Sequence, residues 1–345
     1  MHWAKNNGAS TIKGFDIDES KVDNQTIFYN DSLKNPITYD FVLTNPPYLY
    51  QNKLREKVGL KESVHTDLYQ LSLEKIMDSN EGIVIVPINF FSSENAKYIR
   101  ILFLDRFNIV SAKYFTEQVF EDTTYNVIVF HYIRKRNYNS KQTFTLNIQP
   151  KNENKEITIY QDYNWQIGGE FLSKINANGN RLRIGRLEES DLQKGEIKIR
   201  TAYNHLNTHR DFFVDRQTYN LVRRNIILLK AIDTGTKGGE ICLEDIRDYG
   251  IDAFVSIKTS RNQIGLIFSD EITLSEQEKL IPLFNEVLNK KRDEYESLFM
   301  TNFRDKGRKR ISFDFAYNLL NFIYFNKIKN KRGANESKQN QLRLF

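Results

Sequence analysis

One cysteine stands among 345 residues, Cys242, which excludes an internal disulfide and any metal site built from several thiolates. Long apolar runs are also missing. The strongest, residues 82–91, falls far short of the roughly 20 residues that span a bilayer, so no membrane partner is expected. The first residues, Met1-His2-Trp3-Ala4-Lys5-Asn6-Asn7, contain no apolar stretch resembling a secretory leader. There is no internal repeat and no recognisable set of metal ligands. What is present is ordinary for a globular chain: 40% apolar and 27% charged residues, in a length sufficient for two domains. These features describe a cytosolic protein.

Charge is unevenly spread. The net value is +6, yet residues 301–345 hold 11 Lys/Arg against 3 Asp/Glu, so the first 300 residues are close to −2. A basic end on a near-neutral body suits a polyanion such as nucleic acid, and equally suits a solvated Lys/Asn-rich tail.

The first 135 residues alternate between two patterns. Segments 12–17, 39–44, 82–87, 109–115 and 125–133 are rich in β-branched and aromatic residues and predict strands. Between them, 67–78 places Tyr69, Leu73, Ile76 and Met77 on one helical face. Segment 93–106 repeats Ile99, Leu102 and Phe103 at helical spacing behind Ser93 as N-cap. Such alternation predicts a mostly parallel sheet covered by helices, with ligands bound beyond the carboxyl ends of its strands. The polar run 134–141 predicts the first boundary. After it come short strands at 143–148 and 156–160, and a hairpin pairing 253–258 with 265–268 around Ser260-Arg261-Asn262. A long helix follows with Ser275-x-x-Glu278 as capping box, in which Pro282 either makes a kink or marks the true first turn.

The strand ending at Thr44 runs into Asn45-Pro46-Pro47-Tyr48. Two prolines remove two N–H donors and fix φ, making a stiff corner. The Asn45 side-chain oxygen and the Pro46 carbonyl oxygen become two aimed acceptors, which suits a planar amino group. An exocyclic amine on adenine is a poor nucleophile because its lone pair is delocalised into the ring; two acceptors pull its hydrogens out of plane and localise that pair. Tyr48 offers a face for the base. Taken alone, four residues are more often a stiff turn with a capping Asn.

The ordered set around this corner resembles the amino-group DNA methyltransferases that use S-adenosylmethionine, in the gamma arrangement of adenine-N6 enzymes. Gly14-Phe15-Asp16-Ile17-Asp18 looks like the second motif of that family; the resemblance implies that Asp16 binds the cofactor ribose and Ile17 packs on its adenine. Asn30-Asp31-Ser32-Leu33 looks like the third motif, implying cofactor contacts from Asp31 and Ser32. Asn45, Pro46, Pro47 and Tyr48 correspond to the catalytic motif. Asp67-Leu68-Tyr69 and residues 82–87 match the next helix and strand, and residues 119–130 look like the eighth motif, in which Phe120 faces Tyr48 across the target base. The family's Gly-rich first motif has no counterpart: only Gly8 precedes Gly14. The resemblance therefore implies an α/β class I methyltransferase (Rossmann-like) mixed sheet missing its first strand, and weak or no cofactor binding by this chain alone. A separate chain supplying that motif is one expected partner.

The implied organisation is a catalytic domain over 1–137, an α+β target-recognition domain over 138–326, and a flexible basic tail over 327–345. Double-stranded DNA is the implied substrate. Arg304, Lys306, Arg308, Lys309 and Arg310 form the densest basic cluster and are expected to meet phosphates, with Arg261 a candidate for base contacts. The last residues, Gln341-Leu342-Arg343-Leu344-Phe345, resemble the bacterial sliding-clamp-binding pentapeptide, implying that Gln341, Leu342, Leu344 and Phe345 enter a clamp pocket. Two other readings stand beside this one. The chain is an inactive fragment or DNA-binding subunit, or it is a release-factor glutamine methyltransferase; the roughly 200 residues beyond the last sheet strand argue against the latter.

Overall fold

The computed structural model describes residues 6, 8–48, 64–121, 123, 125–202, 209–235, 239–256, 260–270, 272–302 and 307–329. The chain divides into two compact units, Met1–Ile167 and Gly168–Phe345.

In the first unit, strands β1 (Gly14–Asp16) and β2 (Ile27–Tyr29) form a two-stranded parallel sheet. The turn between them is built on Asp23, whose carboxylate accepts from the backbone N–H groups of Ile27, Thr26 and Gln25 and from the Thr26 hydroxyl. Those bonds, led by that from Ile27, hold its carboxyl well below the usual range. Strands β3 (Phe41–Thr44), β4 (Glu81–Pro87), β5 (Phe107–Phe115), β6 (Val127–Arg134), β7 (Lys141–Gln149) and β8 (Glu153–Tyr160) form a six-stranded sheet in the order β3-β4-β6-β5-β7-β8. The β3–β4 and β5–β7 pairs are parallel and the other three antiparallel. The sheet is therefore mixed, where alternation alone predicts a mostly parallel one.

Helices α1 (Leu68–Lys75) and α2 (Lys97–Arg106) cover this sheet. Their cover is aromatic: Phe90, Phe91, Phe103, Phe107, Phe130 and Tyr132 are all essentially inaccessible, with Phe103 and Phe107 centroids 4.6 Å apart. Each such ring buries 150–250 Å² and prefers edge or offset contacts, so the cluster welds helix to sheet. Ser93 does not cap α2; its hydroxyl donates back to the Asn89 carbonyl oxygen, 2.8 Å away.

The run 134–141 is no linker. Arg134 donates to the carbonyl oxygens of Met77 (2.6 Å) and Ser79 (2.7 Å), satisfying groups beyond the end of α1. The Lys135 ammonium sits 4.4 Å from the buried Trp165 ring. Strands β7 and β8, expected beyond the boundary at 137, continue the same sheet, and the first unit ends at Ile167.

The second unit is α+β. Helix α3 (Gly169–Asn176) opens it, followed by β9 (Ile184–Gly185), β10 (Lys194–Ala202), β11 (His209–Val214), α4 (Arg216–Arg223), β12 (Ile227–Lys230), β13 (Cys242–Asp245), β14 (Phe254–Ser256), β15 (Ile264–Gly265), β16 (Ile267–Phe268), α5 (Leu274–Glu294) and α6 (Phe313–Ile323). Its sheets run β11-β10-β14, β13-β12-β15 and β16-β9, and Thr301–Asn302 pairs antiparallel with Lys309–Arg310. The hairpin expected across 253–268 does not form: β14 pairs with β10, while β15 pairs with β12. A side chain joins them instead, the Ser256 hydroxyl accepting from the Gly265 N–H (3.0 Å) and donating to the Gln263 carbonyl oxygen (3.1 Å). The capping box of α5 lies two residues before the expected one, on Thr273 and Glu276, and Pro282 lies well inside the helix, not in its first turn. Among the described residues no helix is long and apolar enough to cross a membrane.

Candidate active site at the carboxyl ends of the first-unit strands

Parallel pairing of β3 and β4, with Thr44 opposite Val84, brings both carboxyl ends to one edge of the sheet. Strand β6 runs the other way, Val127 facing Pro87, so the connection from β5 to β6 reaches the same edge. Asn126 ties that connection down twice. Its side-chain amide donates to the Phe115 carbonyl oxygen (2.9 Å), and its own carbonyl oxygen accepts from the Ile88 N–H (3.0 Å). Gln118 adds a bond from its amide to the Phe120 carbonyl oxygen (2.9 Å).

On the β3 side the diproline corner leaves the sheet. Pro46 is buried and anchors it, while Asn45 and Pro47 are exposed and Tyr48 is half-buried. The Tyr48 hydroxyl donates to Asn45 Oδ1 at 2.6 Å and lies 3.3 Å from the Ile85 carbonyl oxygen on β4. Across the edge, the Tyr48 and Phe120 ring centroids are 6.5 Å apart at 63°. Two residues 72 positions apart in sequence thus meet at this edge, and one of them, Tyr48, bonds the exposed Asn45. The hydroxyl–amide bond is a feature that sequence reasoning missed. It uses one of the two lone pairs on Oδ1 and fixes the amide rotamer, leaving the second lone pair for another donor.

The other expected pair sits at the carboxyl ends of β1 and β2. Asp16 is half-buried, and one carboxylate oxygen accepts from the Asp18 N–H (2.9 Å). Its carbonyl oxygen accepts from the Asn30 N–H (3.0 Å), which draws the Asn30–Asp31 turn alongside. Ile17 is 60% exposed, an apolar side chain in solvent next to that carboxylate. Asp31 accepts from the Leu33 N–H (3.2 Å) and pairs with Lys34 (3.3 Å); the Ser32 hydroxyl accepts from Asn30 (3.2 Å). A contact between Phe15 and Tyr39, centroids 5.7 Å apart, links β1 to the segment entering β3.

Near α1, Asp67 accepts from the Thr66 hydroxyl (2.7 Å) and the side-chain amides of Gln70 (3.2 Å) and Asn95 (3.3 Å). Burial nevertheless raises its carboxyl above the ordinary range. Its backbone conformation is that of an N-cap, but its side chain makes no cap bond. It serves to join α1 to the turn before α2.

In the second unit the expected basic cluster is redistributed. Lys309 is buried at 4% exposure beside Asp233 and Arg292, and burial pushes its ammonium down to about 8, so it is not a surface phosphate contact. Arg308 is half-buried, donating to the Thr234 carbonyl oxygen (3.3 Å) and packing on Gly235. Arg310 is exposed. Arg261 is exposed and donates to the Ser260 carbonyl oxygen (3.1 Å), whereas Asn262 serves the fold by accepting from the Ala231 N–H (3.0 Å). Arg304 and Lys306 lie outside the described residues, as do Gln341, Leu342, Leu344 and Phe345.

Comparison with known proteins gives no match to any curated protein sequence. Among solved structures the chain is similar to the Type IIL restriction-modification enzyme MmeI in complex with DNA, at 14% identity and a TM-score of 0.43, over 85% of this chain and 48% of that one. It is also similar to a type I restriction-modification methyltransferase subunit from Streptococcus thermophilus, at 17% identity and a TM-score of 0.30, over 43% and 42%. A third is the M protein of the Type I restriction enzyme EcoKI, at 15% identity and a TM-score of 0.28, over 36% and 29%. The chain thus spans less than a third of the EcoKI protein's length. Residues 3–120, which hold β1, β2, the diproline corner and Phe120, match the family model of the Eco57I restriction-modification methylases.

Proposed function

We propose that the chain is the catalytic and DNA-binding part of an adenine-N6 DNA methyltransferase of a restriction-modification system. The observation that carries this reading is the exposed Asn45, its amide oriented by the hydroxyl of Tyr48, whose ring lies 6.5 Å from that of Phe120. The family match over residues 3–120 supports it.

Adenine within a duplex hides its amino group, so the base is turned out before reaction. Asn45 Oδ1 and the Pro46 carbonyl oxygen accept the two amino hydrogens. The nitrogen lone pair, no longer delocalised, would then be able to take up a methyl group from a bound donor, and the proton that the amino group gives up would pass to water. The Tyr48 and Phe120 rings are too close and too inclined to sandwich a base, which needs roughly 7 Å between parallel rings at ordinary carbon contact distances. Holding a base between them therefore requires one ring to move outward and turn.

S-adenosylmethionine suits the residues beyond β1 and β2, and supplies a methyl group on a positively charged sulfur. Asp16 keeps one carboxylate oxygen for a ribose hydroxyl, Ile17 offers exposed apolar surface for an adenine, and Asp31 with Ser32 bounds the neighbouring turn. A second reading, an inactive fragment or a subunit that needs another chain, is favoured by the β3 edge. Strand β3 pairs only with β4 among the described residues, and its Phe41 and Leu43 are about half exposed. An open, apolar strand edge is a template for a further strand. In this reading that strand carries the Gly-rich turn and comes from outside the described residues.

Isothermal titration separates the two. Weak or absent S-adenosylmethionine binding by the chain alone, restored by a partner chain, supports the second; micromolar affinity of the chain alone rules it out. Methyl transfer to duplex DNA that disappears in Asn45→Ala supports the first.

A further inference from the structure

Some cations near α3 and α6 are paired. Arg183 bonds Asp270, Arg186 lies 2.9 Å from Glu188, and Lys291 lies 2.6 Å from Glu294. Three are not. Lys174, Arg181 and Lys329 are exposed, and among the described residues none has a carboxylate within ion-pair distance. All three rest on aromatic rings at the carboxyl end of α6 and the wider π-helical turn Tyr324–Lys329 that continues it. The Arg181 guanidinium carbon is 4.0 Å from the Phe325 ring centroid. The Lys329 ammonium is 5.5 Å from the same ring, and the Lys174 ammonium is 5.7 Å from Phe322. A hydrogen bond from Asn318 to Asn176 (2.9 Å) fixes α6 against α3. The one acid nearby on α3, Glu170, is occupied by the Tyr295 hydroxyl (2.7 Å).

We propose that this face is a phosphate-contact surface for the backbone of double-stranded DNA, a proposal that rests on the DNA-modifying reading and assigns it a binding surface. A guanidinium stacked on a ring uses its face and leaves its in-plane N–H donors to fork onto phosphate oxygens. The rings also restrict long side chains in advance, lowering the entropy that binding must remove. Three like charges gathered without acidic partners repel one another, and a polyanion relieves that repulsion. Tertiary contact places Lys174 and Arg181 beside a helix some 140 residues later, so a scan for dense basic runs misses them. Contacts of this kind set affinity and position without choosing a sequence.

The test is fluorescence anisotropy of the full chain with a labelled 30-base-pair duplex of arbitrary sequence, over a range of KCl concentrations. The triple variant K174Q/R181Q/K329Q is expected to bind at least about tenfold more weakly, with a log K against log salt slope shallower by roughly 2–3. Arg183→Gln, which removes a paired arginine from the same segment, is expected to leave both unchanged. Phe325→Leu keeps all three charges and serves should the triple variant fold poorly; it is expected to weaken binding several-fold with the slope retained. Wild-type affinity and slope in the triple variant, an equal loss in Arg183→Gln, or anionic vesicles binding in preference to the duplex would each overturn the proposal. Duplex binding that falls as expected in a chain showing no methyl transfer, alone or with a partner chain, leaves this surface standing and removes the methyltransferase reading; a wild-type chain that does not bind the duplex removes both.

Discussion

The Tyr48 hydroxyl decides which way the Asn45 amide points, and the Tyr48 ring faces Phe120, so one side chain does two separable things. Tyr48→Phe keeps the ring and removes the orienting bond. A single hydrogen bond of about 0.5–1.5 kcal/mol corresponds to a loss of up to about tenfold in methyl transfer. Tyr48→Ala removes stacking too, about 1–3 kcal/mol per base, and is expected to lower the rate by a further factor of roughly 5 to 150. Equal losses in the two variants would assign everything to the hydroxyl and nothing to stacking. Lys309 offers a second residue-scale prediction. Burial lowers its ammonium to about 8, against 10.5 in the unfolded chain. Between those values the unfolded chain holds more protons, so this residue makes stability rise with pH from about 8 to 10.5; below 8 the cost of burying the charge is fully present, up to about 3 kcal/mol. Lys309→Met is expected to melt higher at pH 7 and to lose that rise, while Arg292 continues to satisfy Asp233. A lower melting temperature with the rise intact would contradict it. At this scale the corner, Asp16, Asp31 and Phe120 were legible because each sits in an ordered local motif. The burial of Lys309 was not: it depends on Asp233 and Arg292, which are distant in sequence.

Strand β4 carries the support for the corner, and Gly82 is where it has no room. A Cβ built there lies 2.4 Å from the Val42 carbonyl oxygen on β3 and 2.6 Å from the Tyr132 hydroxyl on β6. Neither neighbour yields cheaply: the Val42 oxygen is backbone of the strand that ends at Thr44, just before Asn45, and buried Tyr132 is 2.8 Å from the Ser79 hydroxyl. Gly82→Ala is therefore expected to cost about 1–3 kcal/mol by denaturant titration, and to reduce methyl transfer as β3 shifts. A variant as stable as wild type would show that β3 moves freely. Pattern reading found β3, β4, β5 and β6 because β-branched and aromatic runs bounded by turns are local signals. It misplaced the elements that depend on partners. Residues 253–268 carry hairpin-like periodicity, yet β14 and β15 find better partners in β10 and β12. The α5 cap falls on Thr273 and Glu276, whose carboxylate also bonds the Tyr324 hydroxyl (3.1 Å), while Glu278 of the expected box is drawn to Arg247 (2.8 Å).

At the scale of the whole molecule, the polar run 134–141 looks like a linker in sequence and acts as a strand connection in the structure, because Arg134 and Lys135 are consumed by backbone carbonyls and a Trp ring. The chain's basic excess likewise divides into buried, paired and exposed cations only once the second unit is folded. The clamp-like end is a proposal from sequence alone; retention on immobilised sliding clamp is expected to fall when Gln341–Phe345 are deleted, and unchanged retention would end it. The central claim, that Asn45 presents an acceptor to the amino group of an extruded adenine, is tested most directly by mapping N6-methyladenine in the DNA of a methylation-free bacterial host that expresses this chain with its neighbouring genomic reading frames. The account predicts N6-methyladenine at one recurring sequence, absent when Asn45 is replaced by Ala. No N6-methyladenine, or the same pattern with Asn45→Ala, would contradict it.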